Sequence, residues 1–395
     1  MANDSHVPGF TSTGSKRPEA LFGPLLGAAL PTRVTRAAGC RVWDEAGREY
    51  VDYLMALGAV ALGYGHPVVN RAAAAAIDRG VVGPLAPVIE EELAAALCRA
   101  IPWVEAVRFL KTGAEAVAAA VRLARVATGR DRVLTCGYHG WLDWCQGGAV
   151  RGVPAATRAL CAELPFNAVE GATALIRAQG AELAAVVVEP VVVDEPRREW
   201  LETVQAETRA VGAVLVFDEI KTAFRLAIGG AAERYGVHPD LTVVGKALAN
   251  GFPLAAVGGR EDLMQGASRT WISSTLATEA VALAAAHATL EVMTTERVCD
   301  TLHRQGTRLF AGLGILSATY PELVPGLSGV PEMCFLHYAT EDLAQAVARE
   351  CARRGLLFKR TAYNFVSLAH DDATIDGTLA TLDEVLRGLR ARVSS

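Results

Sequence analysis

From about Val104 to Gly259, short runs of β-branched and aliphatic residues alternate with longer stretches whose apolar positions recur at helical spacing. This alternation predicts an α/β core of parallel strands joined by crossover helices. The strand candidates are residues 106–110, 132–135, 185–188, 213–217, 241–244 and 255–257. Several are apolar at every position, as strands covered by helices on both faces must be. Each run breaks into polar or glycine-containing sequence, at Thr112-Gly113, Tyr138-His139-Gly140, Glu189-Pro190, Asp218-Glu219 and Gly245-Lys246. Open α/β sheets bind ligands at the carboxyl ends of their strands, so these endings mark where a site belongs.

Outside this core the pattern changes. Residues 40–44 and 50–53 flank the turn signal Asp44-Glu45-Ala46-Gly47 and predict a hairpin. Past about Ala280, an Ala/Leu-rich helical stretch leads into a mixed tail with strand-like runs at 334–338, 356–358 and 365–368. The expected organisation is an N-terminal segment (1–55) and a C-terminal part (286–395) that share one small α+β domain, beside a large domain at 56–285.

Composition excludes several function classes. With 51% hydrophobic content over 395 residues, the chain can bury a substantial core. A net charge of -5 and interspersed acids and bases leave no polybasic run for nucleic acid. The eight cysteines are scattered without a C-x-x-C pair, which suits reduced thiols of a cytoplasmic protein and not a zinc site. Residues 1–15 lack the apolar core of a signal peptide, and no apolar stretch reaches the roughly 20 residues that a bilayer requires, so no membrane span is expected.

The chemistry concentrates at two strand ends. An acid directly after a buried apolar strand is costly unless paired, and Asp218 follows the apolar run 213–217. Lys246 follows the apolar run 241–244 and Gly245, which puts both groups on one edge of the sheet. Pyridoxal phosphate (PLP) wants both, a lysine for its aldehyde and a carboxylate for its pyridinium nitrogen. The lysine forms a Schiff base, is displaced by the substrate amine and then shuttles a proton. A phosphate finds donors at Thr112-Gly113-Ala114, a turn between a strand and an alanine-rich helix whose N-terminus favours an anion. Tyr138 offers an aromatic face for the ring, Ile220 a cover for the other face, and His139 and Glu189 stand at neighbouring strand ends.

These pieces, in this order and spacing, resemble the class III aminotransferases, in particular the branch of glutamate-1-semialdehyde aminomutase. The matching segments are Thr112-Gly113-Ala114-Glu115-Ala116, Tyr138-His139-Gly140, Glu189-Pro190, Phe217-Asp218-Glu219-Ile220, Gly245-Lys246-Ala247, Asn250-Gly251-Phe252-Pro253 and Ser273-Ser274-Thr275. The resemblance implies the PLP-dependent transferase fold of type I, a large domain with a mostly parallel central sheet plus a small α+β domain. It implies Lys246 for the Schiff base, Asp218 for the ring nitrogen, the Gly113 and Ala114 amides for phosphate, Tyr138 for stacking and Asp194 beside the ring hydroxyl. Thr275 would reach the phosphate of a neighbouring subunit, which implies a homodimer with shared sites.

Departures fall at the substrate end. The aminomutase uses an N-terminal arginine for the substrate carboxylate and a tryptophan in the site wall, where this sequence has Phe22 and Leu57. Arg17, Arg33, Arg36 and the Lys359-Arg360 pair remain as carboxylate anchors, and Leu57 and Arg360 are the substrate-binding candidates. The leading expectation is a transaminase that moves an amino group from a donor to a carbonyl acceptor in two half-reactions. The alternatives are an aminomutase, which changes no net amine count, and a silent PLP-fold binding protein, against which the intact Asp218 and Lys246 pair argues. No G-x-G-x-x-G follows an early strand, which argues against a nicotinamide dehydrogenase.

Overall fold

The computed structural model describes residues 6–24, 30–148, 150–361 and 363–393. The chain divides into two compact units, Pro67–Cys299 and the pairing of Met1–His66 with Asp300–Ser395. The divisions fall at 66/67 and 299/300, beyond the 55/56 and 285/286 expected from the sequence. The helix Ala280–Thr295 explains the second shift: it packs on Pro67–Arg79 and Val88–Ala100 of the larger unit, a partnership its uniform Ala/Leu composition does not reveal.

The larger unit is built on a seven-stranded sheet. Its spatial order is Ala106–Leu110, Ala255–Gly259, Leu241–Val244, Val214–Asp218, Leu183–Val188, Arg132–Cys136 and Cys161–Glu163. Ala255–Gly259 alone runs antiparallel to its neighbours; the other strands share one direction. Successive residues alternate between two cores, as the period of a strand requires. Ala185 and Val187 join Val133, Val216 and Val243 under the helix Gly113–Thr128, whose alanines bring it close to the sheet. Val186 and Val188 join Leu134, Leu215 and Phe217 under Trp200, Leu201 and Val204 of the helix Arg198–Ala210. Cys136 pairs with Val188, Val188 with Phe217, and Asp218 with Val243, so the carboxyl ends of these strands form a common edge.

The smaller unit carries a four-stranded sheet, Val34–Ala38, Arg41–Asp44, Glu49–Asp52 and Leu356–Leu357, and a three-stranded sheet, Gly326–Val330, Met333–His337 and Asn364–Phe365. Of the strand-like run at 365–368 only its first residue pairs, because the Ser367 N–H turns to donate to His370 Nδ1 at 3.0 Å. After Asp52 the chain makes a left-handed turn, with φ of 43°, 52° and 60° at Met55, Ala56 and Leu57 and 84° at Gly58. Such geometry costs roughly 1–2 kcal/mol per non-glycine residue. The Asp52 carboxylate holds its entrance, accepting the Leu54 N–H at 2.8 Å, the Met55 N–H at 3.1 Å and the Tyr64 hydroxyl at 2.8 Å. At its exit a Cβ on Gly58 would stand 2.8 Å from the Phe365 ring, so glycine is required twice over. Among the described residues no helix is long and apolar enough to cross a membrane.

Candidate active site

At the common strand edge, Asp218 is buried and its two oxygens are separately engaged. Oδ2 accepts from His139 Nδ1 at 2.8 Å, and Oδ1 accepts the Ile220 N–H at 3.2 Å. His139 therefore serves Asp218, orienting its carboxylate; its Nε2 is buried with no hydrogen-bond partner among the described residues. Lys246 follows Gly245 with φ of 44°, a left-handed conformation that is uncommon for a side-chain-bearing residue and is often found at functional positions. Burial lowers the lysine pKa, Asp218 partly opposes that shift and the charge of Arg225 adds to it. A lysine so placed yields its proton more readily than an exposed one, which a nucleophilic amine requires.

The turn after Ala106–Leu110 is built for close approach. Thr112 caps the helix Gly113–Thr128, accepting the Glu115 N–H at 3.2 Å, while Glu115 accepts the Thr112 N–H at 2.9 Å. The Gly113 and Ala114 amides lie in the first helical turn, where N–H groups have no carbonyl partner inside the helix. A Cβ on Gly113 would come within 2.4 Å of Ile220 Cδ1, and one on Gly140 within 2.5 Å of Ala114 Cβ. The structure thus brings Gly113, Ala114, Gly140 and Ile220 into one small-residue cradle beside Asp218 and Gly245.

Glu189 turns out to be a latch. One of its oxygens accepts the Tyr138 N–H at 3.0 Å and the other pairs with Lys221, fixing the backbone from which the Tyr138 ring, 71% exposed, projects. Asp194 and Thr275 are exposed, and no described contact joins either to the Asp218 cluster. Glu219 and Lys221 carry geometry that the sequence reading passed over; two acids in succession after a buried strand were the available signal.

The smaller unit holds a cavity of about 470 Å³, walled by Phe22, Val42, Leu54, Leu57 and Leu357 and bordered by Lys16 and Arg33. Arg33 lies over the Phe10 ring at 4.2 Å and has no carboxylate partner among the described residues. Two of the other anchors are otherwise occupied: Arg36 sits over Trp43 at 4.4 Å, and Arg360 is ion-paired with Glu341. Leu57 lines the cavity; Arg360 does not.

The residues fit PLP on three counts: a buried carboxylate held by an imidazole, a largely buried lysine of lowered pKa at the next strand end, and a helix N-terminus at Gly113 and Ala114 whose amides have no carbonyl partner inside the helix. Comparison with known proteins agrees. The sequence profile of the family "Aminotransferase class-III" matches residues 27–386. The glutamate-1-semialdehyde 2,1-aminomutase of Desulfitobacterium hafniense (strain Y51) is 33% identical, with 91% of each chain covered. Among solved structures, the PLP internal aldimine form of the Sphingopyxis sp. MTA144 FumI protein superposes with a TM-score of 0.87 at 27% identity, over 94% of both chains. A transaminase with PLP bound gives a TM-score of 0.87 at 25% identity, over 96% of this chain and 97% of the other.

Proposed function

Because this chain belongs to the class III aminotransferases and is a PLP-dependent transaminase, we propose that Lys246 is its cofactor lysine and that Asp218, aimed by His139, serves the ring nitrogen. The observation that carries this assignment is Asp218 and Lys246 at the ends of neighbouring strands, the one held by His139 and the other largely buried with its pKa lowered. When bound, PLP supplies an aldehyde that captures amines and a ring that takes up an electron pair. The chain supplies the rest. Gly113 and Ala114 donate amides to the phosphate, with Thr112 at the cap; Ile220 and Tyr138 bound the ring, and Glu189 orients Tyr138. Lys246 Nζ would hold the cofactor and, as a free amine, would take the proton from the substrate carbon and deliver it to the cofactor's carbon, a role its lowered pKa suits. Asp194 is assigned to the ring hydroxyl on family resemblance.

At the substrate end, Leu57 is assigned to the substrate's surroundings on family resemblance; within the smaller unit it stands in the wall of the apolar cavity. Of the carboxylate-anchor candidates, Arg33 is preferred to Arg360, which Glu341 already neutralises. Phe22 and Leu57, in place of an arginine and a tryptophan, favour net amino transfer over the mutase reaction named for the 33% relative. A homodimer with Thr275 donated across subunits is supported by the exposed Trp271 and Leu276 beside it and by exposed Val81, Val82, Leu85 and Val88. The free cysteines support a cytoplasmic location.

The test is a donor and acceptor screen with purified, PLP-loaded protein, following cofactor absorbance and counting amines. Wild type should aminate one compound while deaminating another, and Lys246→Ala should lose both the visible band of lysine-bound cofactor and turnover. Full activity in that variant would overturn the assignment of Lys246, and isomerisation without net transfer would favour the mutase.

A further inference from the structure

Glu219 follows Asp218 directly, yet its side chain turns the other way, into the protein. It is fully buried, and its carboxylate accepts the Thr222 hydroxyl together with the Ala231 N–H at 2.8 Å and the Ala232 N–H at 2.7 Å. Its own N–H donates to the Val243 carbonyl at 2.9 Å, continuing the ladder toward the strand that leads into Lys246. Gly230 has φ of 73°, and a Cβ there would lie 2.1 Å from Glu219 Oε2, so the carboxylate occupies space that only glycine leaves.

The helix that receives this carboxylate, Gly230–Tyr235, has six residues and is too short to hold itself. The segment between Asp218 and that helix is therefore tied at both ends. Asp218 Oδ1 holds the Ile220 N–H, and Glu219 grips Thr222 and the first turn of the helix. Between the ties lie Phe224, with φ of 57°, and the fully buried Arg225, whose charge acts on Lys246. An unfavourable conformation persists only where its surroundings over-determine it, and here Glu219 supplies the determination.

We propose that Glu219 is a positioning residue for the transaminase reaction: its buried carboxylate fixes the 220–230 segment so that Asp218 stays aimed at His139 and Arg225 stays where its charge acts on Lys246. The proposal rests on the assignment of Lys246 and Asp218 above. Burial pushes the Glu219 carboxyl up to about 7, with the Asp218 charge adding to the shift and the Thr222, Ala231 and Ala232 donors opposing it. The charge acting on Glu219 is that of Asp218, while Glu233 of the short helix accepts the Gly229 N–H at 2.8 Å, and Asp218 and Arg225 in turn act on Lys246.

The test compares PLP-loaded and cofactor-free forms of Glu219→Gln and Thr222→Val with wild type. Glu219→Gln should weaken PLP binding about tenfold, lower kcat by a similar factor, leave KM for the amino donor within about twofold, and lower the midpoint of the absorbance titration by about half a unit or more. Thr222→Val, which removes one of the three donors, should move the same readouts in the same direction by less. Folded variants with wild-type PLP affinity and an unmoved titration midpoint, changed only in melting temperature, would overturn the positioning role, and Thr222→Val decides if Glu219→Gln does not fold. If Lys246→Ala retains the visible band, the underlying assignment fails instead, a result distinct from either outcome for Glu219.

Discussion

The strand edge of the larger unit and the cavity of the smaller one achieve order by different means. At the edge every carboxylate has assigned donors: Asp218 holds His139 and Ile220, Glu189 holds Tyr138 and Lys221, and Glu219 holds a helix start. In the cavity the walls are mostly aliphatic and aromatic; Lys16 and Arg33 stand at its border with Thr11 and Thr32, and the Asp52 carboxylate in its lining is already taken up by the Leu54 and Met55 N–H groups and the Tyr64 hydroxyl. Hydrogen bonds fix one geometry for one cofactor, whereas apolar walls accept whatever shape fills them. The reaction class follows from the family and the ordered edge, whereas the substrate is a matter of the proposal above.

The largest expected effect breaks the edge. Asp218→Asn removes the charge that holds His139 and is proposed to serve the cofactor, and kcat should fall on the order of a hundredfold to a thousandfold, measured with saturating PLP and donor. A change in KM alone would place Asp218 with the substrate and erase the distinction between the regions.

Next comes a pH test of the same edge. The Glu219 carboxyl is raised from 4.5 to about 7 in the folded protein, so the folded state binds a proton the unfolded state has released. Its contribution to stability is greatest below the unfolded pKa and is lost as pH rises through about 7. Between pH 5 and 8, wild type should therefore lose about 2–3 kcal/mol relative to Glu219→Gln in denaturant titrations. A constant difference would mean that Glu219 is ionised throughout.

Two smaller effects sharpen the cavity side. Gly58→Ala forces a side chain into a left-handed turn against Phe365 and should cost about 2 kcal/mol by thermal or denaturant unfolding, with the PLP spectrum unchanged. Arg33→Ala should raise KM roughly tenfold for donors that carry a carboxylate, the loss of one charge-assisted hydrogen bond, and leave simple amines unaffected. Equal effects on both donor types would remove Arg33 from carboxylate binding.

Much of the edge was legible before the structure. Fully buried parallel strands such as Leu183–Val188 must be apolar at nearly every position, and the residue after such a run stands out when it is Asp218 or leads to Lys246. The strands that escaped notice, Val34–Ala38, Cys161–Glu163 and Gly326–Val330, are half-exposed and short, so neither length nor alternation marks them. The role of His139 escaped for a different reason. A histidine beside an aromatic at a strand end carries no record of the acid it will meet, and Asp218 lies 79 positions away.

The sequence by itself determined the α/β core and the cofactor class, and it marked the strand ends proposed to bear the chemistry, because strand periodicity and the spacing of reactive groups are local properties of the chain. Only the tertiary structure decided which partners those residues take. His139 on Asp218, Glu189 between Tyr138 and Lys221, Glu219 on a helix start, and Arg33 in preference to Arg360 at a cavity are all choices made across sequence separations, by the packing of apolar side chains. Asp218 and Lys246 could be named from the chain, but the aim of the one and the lowered pKa of the other belong to the fold.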